Sequence, residues 1–117
     1  MAGTIPPAEA LRLVDLIAPA ERGIASRVLS KTGGGNVTLF AFDRGEGLSE
    51  HTTPFDALAL VIDGCLTLTI GDKPVVAAAG TIVRLPANVP HAVEAGESAR
   101  MLLIMLREPN PLKGSAQ

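Results

Sequence analysis

The chain has 117 residues, 47% of them hydrophobic and 19% charged, with a formal net charge of −2. That is the length of one domain, with enough apolar residues for a core and too apolar a balance for a disordered segment. The Lys and Arg residues are scattered from Arg12 to Lys113, and there is no Trp, no Tyr and only 3 Phe, so both the basic stripe and the stacking platforms of a nucleic-acid binder are missing.

The N-terminal segment MAGTIPPAEALRLVDLIAP lacks the basic start and long apolar run of a secretory signal. No stretch approaches the ~20 apolar residues of a membrane helix. Cys65 is the only cysteine, which rules out an intrachain disulfide and a CxxC metal site. These features predict a soluble, cytoplasmic protein with no membrane partner.

Residues 8–17 (AEALRLVDLI) read as one short helix after Pro6-Pro7, or with VDLI as an edge strand. IASRVLSK (24–31) follows Gly23 and runs into the Gly33-Gly34-Gly35 loop, and NVTLFAFD (36–43) is rich in β formers. ALALVID (57–63) and CLTLTI (65–70) flank Gly64, and the second alternates, with Leu66, Leu68 and Ile70 on one face. Cys65 reads as a small buried hydrophobe. Gly71-Asp72 is a hairpin signal leading to KPVVAAA. TIVRLP follows Gly80, HAVEA follows Pro90, and ARMLLIMLRE (99–108) reads as a long last strand.

Short apolar runs punctuated by Gly and Pro predict about eight to ten strands and an all-β sandwich or closed barrel. The expected organisation is a single domain over 1–117. It has an N-terminal arm at 1–23, a barrel core at about 24–107 and a loose tail at 109–117. ALALVI and MLLIML are apolar on both faces, so each needs cover on both sides. A homodimer through these strands is the preferred cover, with an intramolecular one as the alternative.

Two segments carry candidate chemistry. The first runs Gly45, five residues, His51-Thr52-Thr53, three residues, Ala57, six residues, Gly64. The second runs Gly80, five residues, Pro86-Ala87-Asn88, two residues, His91, three residues, Ala95. In spacing and order they resemble the two motifs of the cupin superfamily. The resemblance implies a double-stranded β-helix, the cupin jelly-roll barrel. The wording around the motifs also looks like small, stand-alone bacterial cupins without assigned activity. Family positions held elsewhere by a second His, a Glu, a Gly and an Asn are here Thr53, Ala57, Asn88 and Ala95. Asn at 88 is a mild change, because Asn tolerates left-handed φ.

In the family, the positions matching 51, 53, 57 and 91 converge on one divalent metal. Alternation along a strand would point 51, 53 and 57 inward together. Transferred here, only His51 and His91 remain as metal ligands, for a divalent ion such as Fe, Mn, Ni or Zn. Two imidazoles fall short of the three or four donors such ions take. Glu50 and Asp56 sit at the wrong parity, and a β-bulge would be needed to turn one inward. Asp56 otherwise reads as a partner for a backbone N–H or for Arg44, and Pro54 as a stiffener of the turn.

The expected function is small-molecule binding in a largely apolar barrel pocket around His51, Thr53, Phe55, Ala57 and His91. The alternative is a metal-dependent oxygenase or isomerase using His51 and His91 with a nearby carboxylate. A metal-free epimerase-like reaction would need an acid other than Tyr, which is absent. A dimerising module without a ligand completes the range.

Overall fold

The computed structural model describes residues 4–107. Nine strands follow one 3-10 turn (Leu13–Asp15). They are β1 (Ile24–Thr32), β2 (Gly35–Phe42), β3 (Gly47–His51), β4 (Asp56–Asp63), β5 (Cys65–Ile70), β6 (Lys73–Ala78), β7 (Ile82–Leu85), β8 (His91–Ala95) and β9 (Ala99–Leu106). They form two antiparallel sheets, ordered β1-β2-β9-β4-β7 and β3-β8-β5-β6. The all-β expectation and its strand number hold, and the two sheets wrap one core as a jelly-roll barrel. The predicted tail 109–117, like the last residue of the predicted 99–108 strand, lies outside the described residues. Among the described residues, no helix is long and apolar enough to cross a membrane.

The alternating sequences explain the core. Leu66 and Leu68 of β5 face Ala57, Ala59 and Val61 of β4 across the barrel, joined by Phe42, Ala77, Val93, Ala95, Ala99 and Met101. Ala at 57, 59, 77, 95 and 99 keeps the sheets close at this end. Two glycines set the geometry there. Gly64 joins β4 to β5 at φ +76°, and a Cβ on it would run into the Ser98 carbonyl. A Cβ on Gly47 would run into the Val93 carbonyl, so only glycine lets β3 lie this close to β8.

The N-terminal arm departs from the expected helix. Only Leu13–Asp15 makes a 3-10 turn, and Arg12 before it supplies no side-chain cap. The segment has better partners on the sheet. Ile5 N–H donates to the Leu29 carbonyl, Arg27 donates to the Leu16 carbonyl and Arg100 Nε donates to the Ile17 carbonyl. Leu29, Leu39 and Ala41 are buried on the side of the five-stranded sheet that faces away from Phe42, beneath this arm. Part of the second apolar face is therefore covered within the chain. Farther along the same face Leu58, Leu60, Leu102 and Ile104 are half-buried, and Ile82 is 57% exposed.

Candidate functional site

The strand β3 ends on His51 and β8 begins on His91, and the two residues are partners in the β3–β8 ladder. A register shift between Leu48 and His51 brings them opposite one another. The rings meet edge to face with centroids 4.4 Å apart. His51 is exposed, whereas His91 is only 7% exposed. Each ring is held the same way: Nδ1 of His51 donates to the Ser49 carbonyl at 3.1 Å, and Nδ1 of His91 donates to the Val89 carbonyl at 3.3 Å.

A cavity of about 200 Å³ lies between the sheets beside the pair. Phe40, Leu85, Met101 and Leu103 line it from one sheet, and Leu48, Val93, His51 and His91 from the other. Burial pushes the His91 imidazolium toward deprotonation, and the neighbouring His51 adds repulsion in the same direction. The backbone carbonyl of Val89 opposes them, and the net pKa lies below the ordinary histidine value. A larger trough of about 660 Å³ runs outside the barrel along β3 and β8, but neither histidine lines it. It is open, flanked by small residues and backbone, and holds no comparable grouping of side chains.

Positions 51, 53 and 57 do not share a strand: Ala57 still faces the barrel interior, within the packed core, whereas Thr53 lies in the connection between β3 and β4. β3 stops at His51 and β4 starts at Asp56, with Pro54 in the turn between them. Thr53 Oγ1 donates to the Phe55 carbonyl at 3.0 Å, and the Thr53 carbonyl accepts the Asn88 N–H at 2.7 Å. Asn88 takes φ +65°, the left-handed backbone expected from its replacement of glycine. Phe55 lines a different hollow with Pro54, Asp56, Ala87 and Leu106, and the Arg107 guanidinium lies 5.6 Å from its ring centre. Ala57 faces the packed core opposite Leu85 and Met105. Thr53, Phe55 and Ala57 are thus not among the residues that line the histidine cavity.

Asp56 is fully engaged elsewhere. Its Oδ1 accepts the Ala87 N–H at 2.8 Å and its Oδ2 accepts from Arg84 at 2.7 Å, so its arginine is Arg84, not Arg44. The Ala87 N–H is the leading cause that holds the Asp56 carboxyl below its usual pKa; burial opposes it, and the hydrogen bond and charge of Arg84 add to the lowering. Glu50 is exposed. Among the described residues, no group of three His, Cys, Asp or Glu side chains converges as a metal site would require. Two imidazoles with no carboxylate do not fit a divalent ion held by three or four protein donors. The residues missed in the sequence, Leu48, Leu85, Val93, Met101 and Leu103, follow from alternation once the strand pairing is known: Val93 is two after His91, and Phe40 pairs with Met101.

A two-sheet antiparallel barrel with a histidine pair on adjoining strands beside an interior cavity defines a small jelly-roll barrel. The chain belongs to the cupin domain family, whose sequence profile (Cupin_2) matches residues 38–106. Solved structures agree. A conserved protein of unknown function from Streptococcus pyogenes is 28% identical, with a TM-score of 0.86 over 92% of this chain and 95% of its own. A cupin superfamily protein from Desulfitobacterium hafniense is 28% identical, with a TM-score of 0.84 over 90% and 96%. A Cupin 2 conserved barrel domain protein from Leptotrichia buccalis is 36% identical, with a TM-score of 0.77 over 80% of this chain and 46% of its own. Curated proteins offer no match to this sequence.

Proposed function

We propose that this protein binds a small molecule in the barrel cavity beside His51 and His91, and that it does so in the cytoplasm. The observation that carries the reading is a cavity of about 200 Å³ with six apolar residues and just two polar side chains, both imidazoles, on its wall. Such a combination of apolar surface and a few convergent polar groups is the usual make-up of a ligand site. A buried imidazole kept neutral by its surroundings supports the same reading, since it can exchange hydrogen bonds with a ligand without needing a counter-ion. A metabolite screen by thermal shift tests it. Ligands that raise the melting temperature of the native chain are expected to lose that effect in His91→Phe, whose ring occupies the imidazole's place. A hit that stabilises His91→Phe equally would place binding elsewhere and sink the reading.

We also propose that the chain forms a homodimer through the outer face of the five-stranded sheet. Leu58, Leu60, Leu102 and Ile104 support it: the arm leaves them only half-buried, and Ile82 beside them is largely exposed.

A further inference from the structure

We propose that the cavity selects a compact apolar molecule carrying an O–H or N–H donor, of the class of a monocyclic phenol or a small apolar alcohol, and discriminates against carboxylates and ethers. This inference rests on the reading of the cavity as a ligand site, and goes beyond it by specifying the polarity of the ligand.

The polarity follows from how the rings are held. A backbone carbonyl can only accept, so the contacts of His51 with Ser49 and of His91 with Val89 fix a proton on each Nδ1. In a neutral imidazole the other nitrogen, Nε2, then carries a lone pair and accepts. Among the described residues, neither Nε2 has a hydrogen-bond partner in the protein. His91 is buried as a residue, at 7% exposed, while its Nε2 is not among the fully buried atoms that lack a partner, so this acceptor keeps an open side where a ligand can reach it. The remaining liners are Phe, Leu, Val and Met, and none of them provides a strong donor.

With both rings neutral, the cavity presents two acceptors and no donor. A carboxylate or ether oxygen would set lone pair against lone pair, and no Arg or Lys lines the wall to offset an anion's charge. A hydroxyl or amine proton on an apolar body meets Nε2 directly, while Phe40, Leu85 and Leu103 take the hydrocarbon. The size agrees: an apolar cavity of about 150 Å³ holds benzene, and this one measures about 200 Å³.

The test uses the full chain near neutral pH with three probes of one size: phenol, anisole and benzoate. Binding is measured by calorimetry, and the ring nitrogens are followed by ¹⁵N NMR. Phenol is expected to bind at least about tenfold more tightly than either other probe, the scale of one satisfied against one unmet hydrogen bond. It is also expected to shift the Nε2 resonance of His91. His51→Leu, at the exposed edge of the cavity, is expected to narrow the phenol preference while leaving the fold intact. Equal or tighter binding of anisole or benzoate overturns the donor preference but leaves the ligand reading standing. Phenol binding without an Nε2 shift overturns it in the same way. Failure of all three probes, with a screen that yields no cavity ligand, overturns both.

Discussion

His51 and His91 share one local device, an Nδ1–H anchored to the carbonyl two residues back, yet their surroundings differ in exposure. Desolvation is the larger cause of the lowered His91 pKa, and the charge of His51 is the second. His51→Asn removes the second cause while keeping a polar side chain at the edge. In an NMR titration His91 is expected to titrate at higher pH in that variant, and an unchanged midpoint would show that His51 does not act on it. Stability carries the same signature. The unfolded chain binds a proton at His91 as pH falls through the ordinary value of 6.5, while the folded barrel resists protonation there until a lower pH. The contribution is therefore complete above 6.5 and is lost as pH falls toward the lowered folded value. Urea midpoints at pH 7.5 and pH 5 are expected to differ more for the native chain than for His91→Gln, and equal differences would contradict this. Metal content checks the donor count. Purified protein is expected to hold far less than one equivalent of transition metal, and a full equivalent lost in His51→Ala would overturn that expectation. At this scale the sequence was informative where a residue type encodes backbone geometry, as at Gly64 and Asn88, which both take positive φ. It was less informative about which residues line the cavity. Ala57 faces inward as alternation requires but lies in the packed core. Thr53 and Phe55 fall in the connection after β3 stops at His51, where parity no longer applies.

Among the elements, β3 is the one on which the site depends. It is five residues long, lies at the edge of its sheet and pairs only with β8. Its approach rests on Gly47, whose missing Cβ leaves room for the Val93 carbonyl. Gly47→Ala is expected to lower stability by about 1–3 kcal/mol, the scale of overpacking, in urea denaturation. It is also expected to weaken ligand binding, because the strand that carries His51 must move off its partner. A fully native urea midpoint would show that β3 adapts without cost. Opposite it, the loop before His91 is tied to the start of β4 by Asp56, through the Ala87 N–H and Arg84, and by the Asn88 N–H on Thr53. Most strands were legible because alternation and Gly-Pro punctuation coincide with their ends. The arm was not. AEALRLVDLI has residues that favour helix, but carbonyls at 16 and 17 are taken by Arg27 and Arg100, and those tertiary bonds override local preference.

For the whole molecule, the sequence posed a question that the structure answers in halves. ALALVI and MLLIML bury one face in the barrel, and the arm covers Leu29, Leu39 and Ala41 on the outer side of the same sheet. Beyond the arm's reach the apolar face continues to Ile82 and Leu106, which are 57% and 46% exposed. The proposed dimer is expected to run at twice the monomer mass in size-exclusion chromatography with light scattering at micromolar concentration. Ile82→Glu, on an exposed side chain that the fold can spare, is expected to weaken association by on the order of 1–2 kcal/mol or more. A native chain that elutes as a monomer would remove the dimer from consideration. The path of the chain has a consequence for its synthesis. β2 pairs along its length with β9, and the arm is fastened by Arg100 of that same strand. On the ribosome the hairpin of β1 and β2 can form early and already offers the first segment the Leu29 carbonyl and the Arg27 side chain, but its inner edge has no partner until the last strand emerges. Closure of the five-stranded sheet is thus a late event, and a nascent chain halted before Arg100 would lack both the partner of β2 and the bond that holds the Ile17 carbonyl.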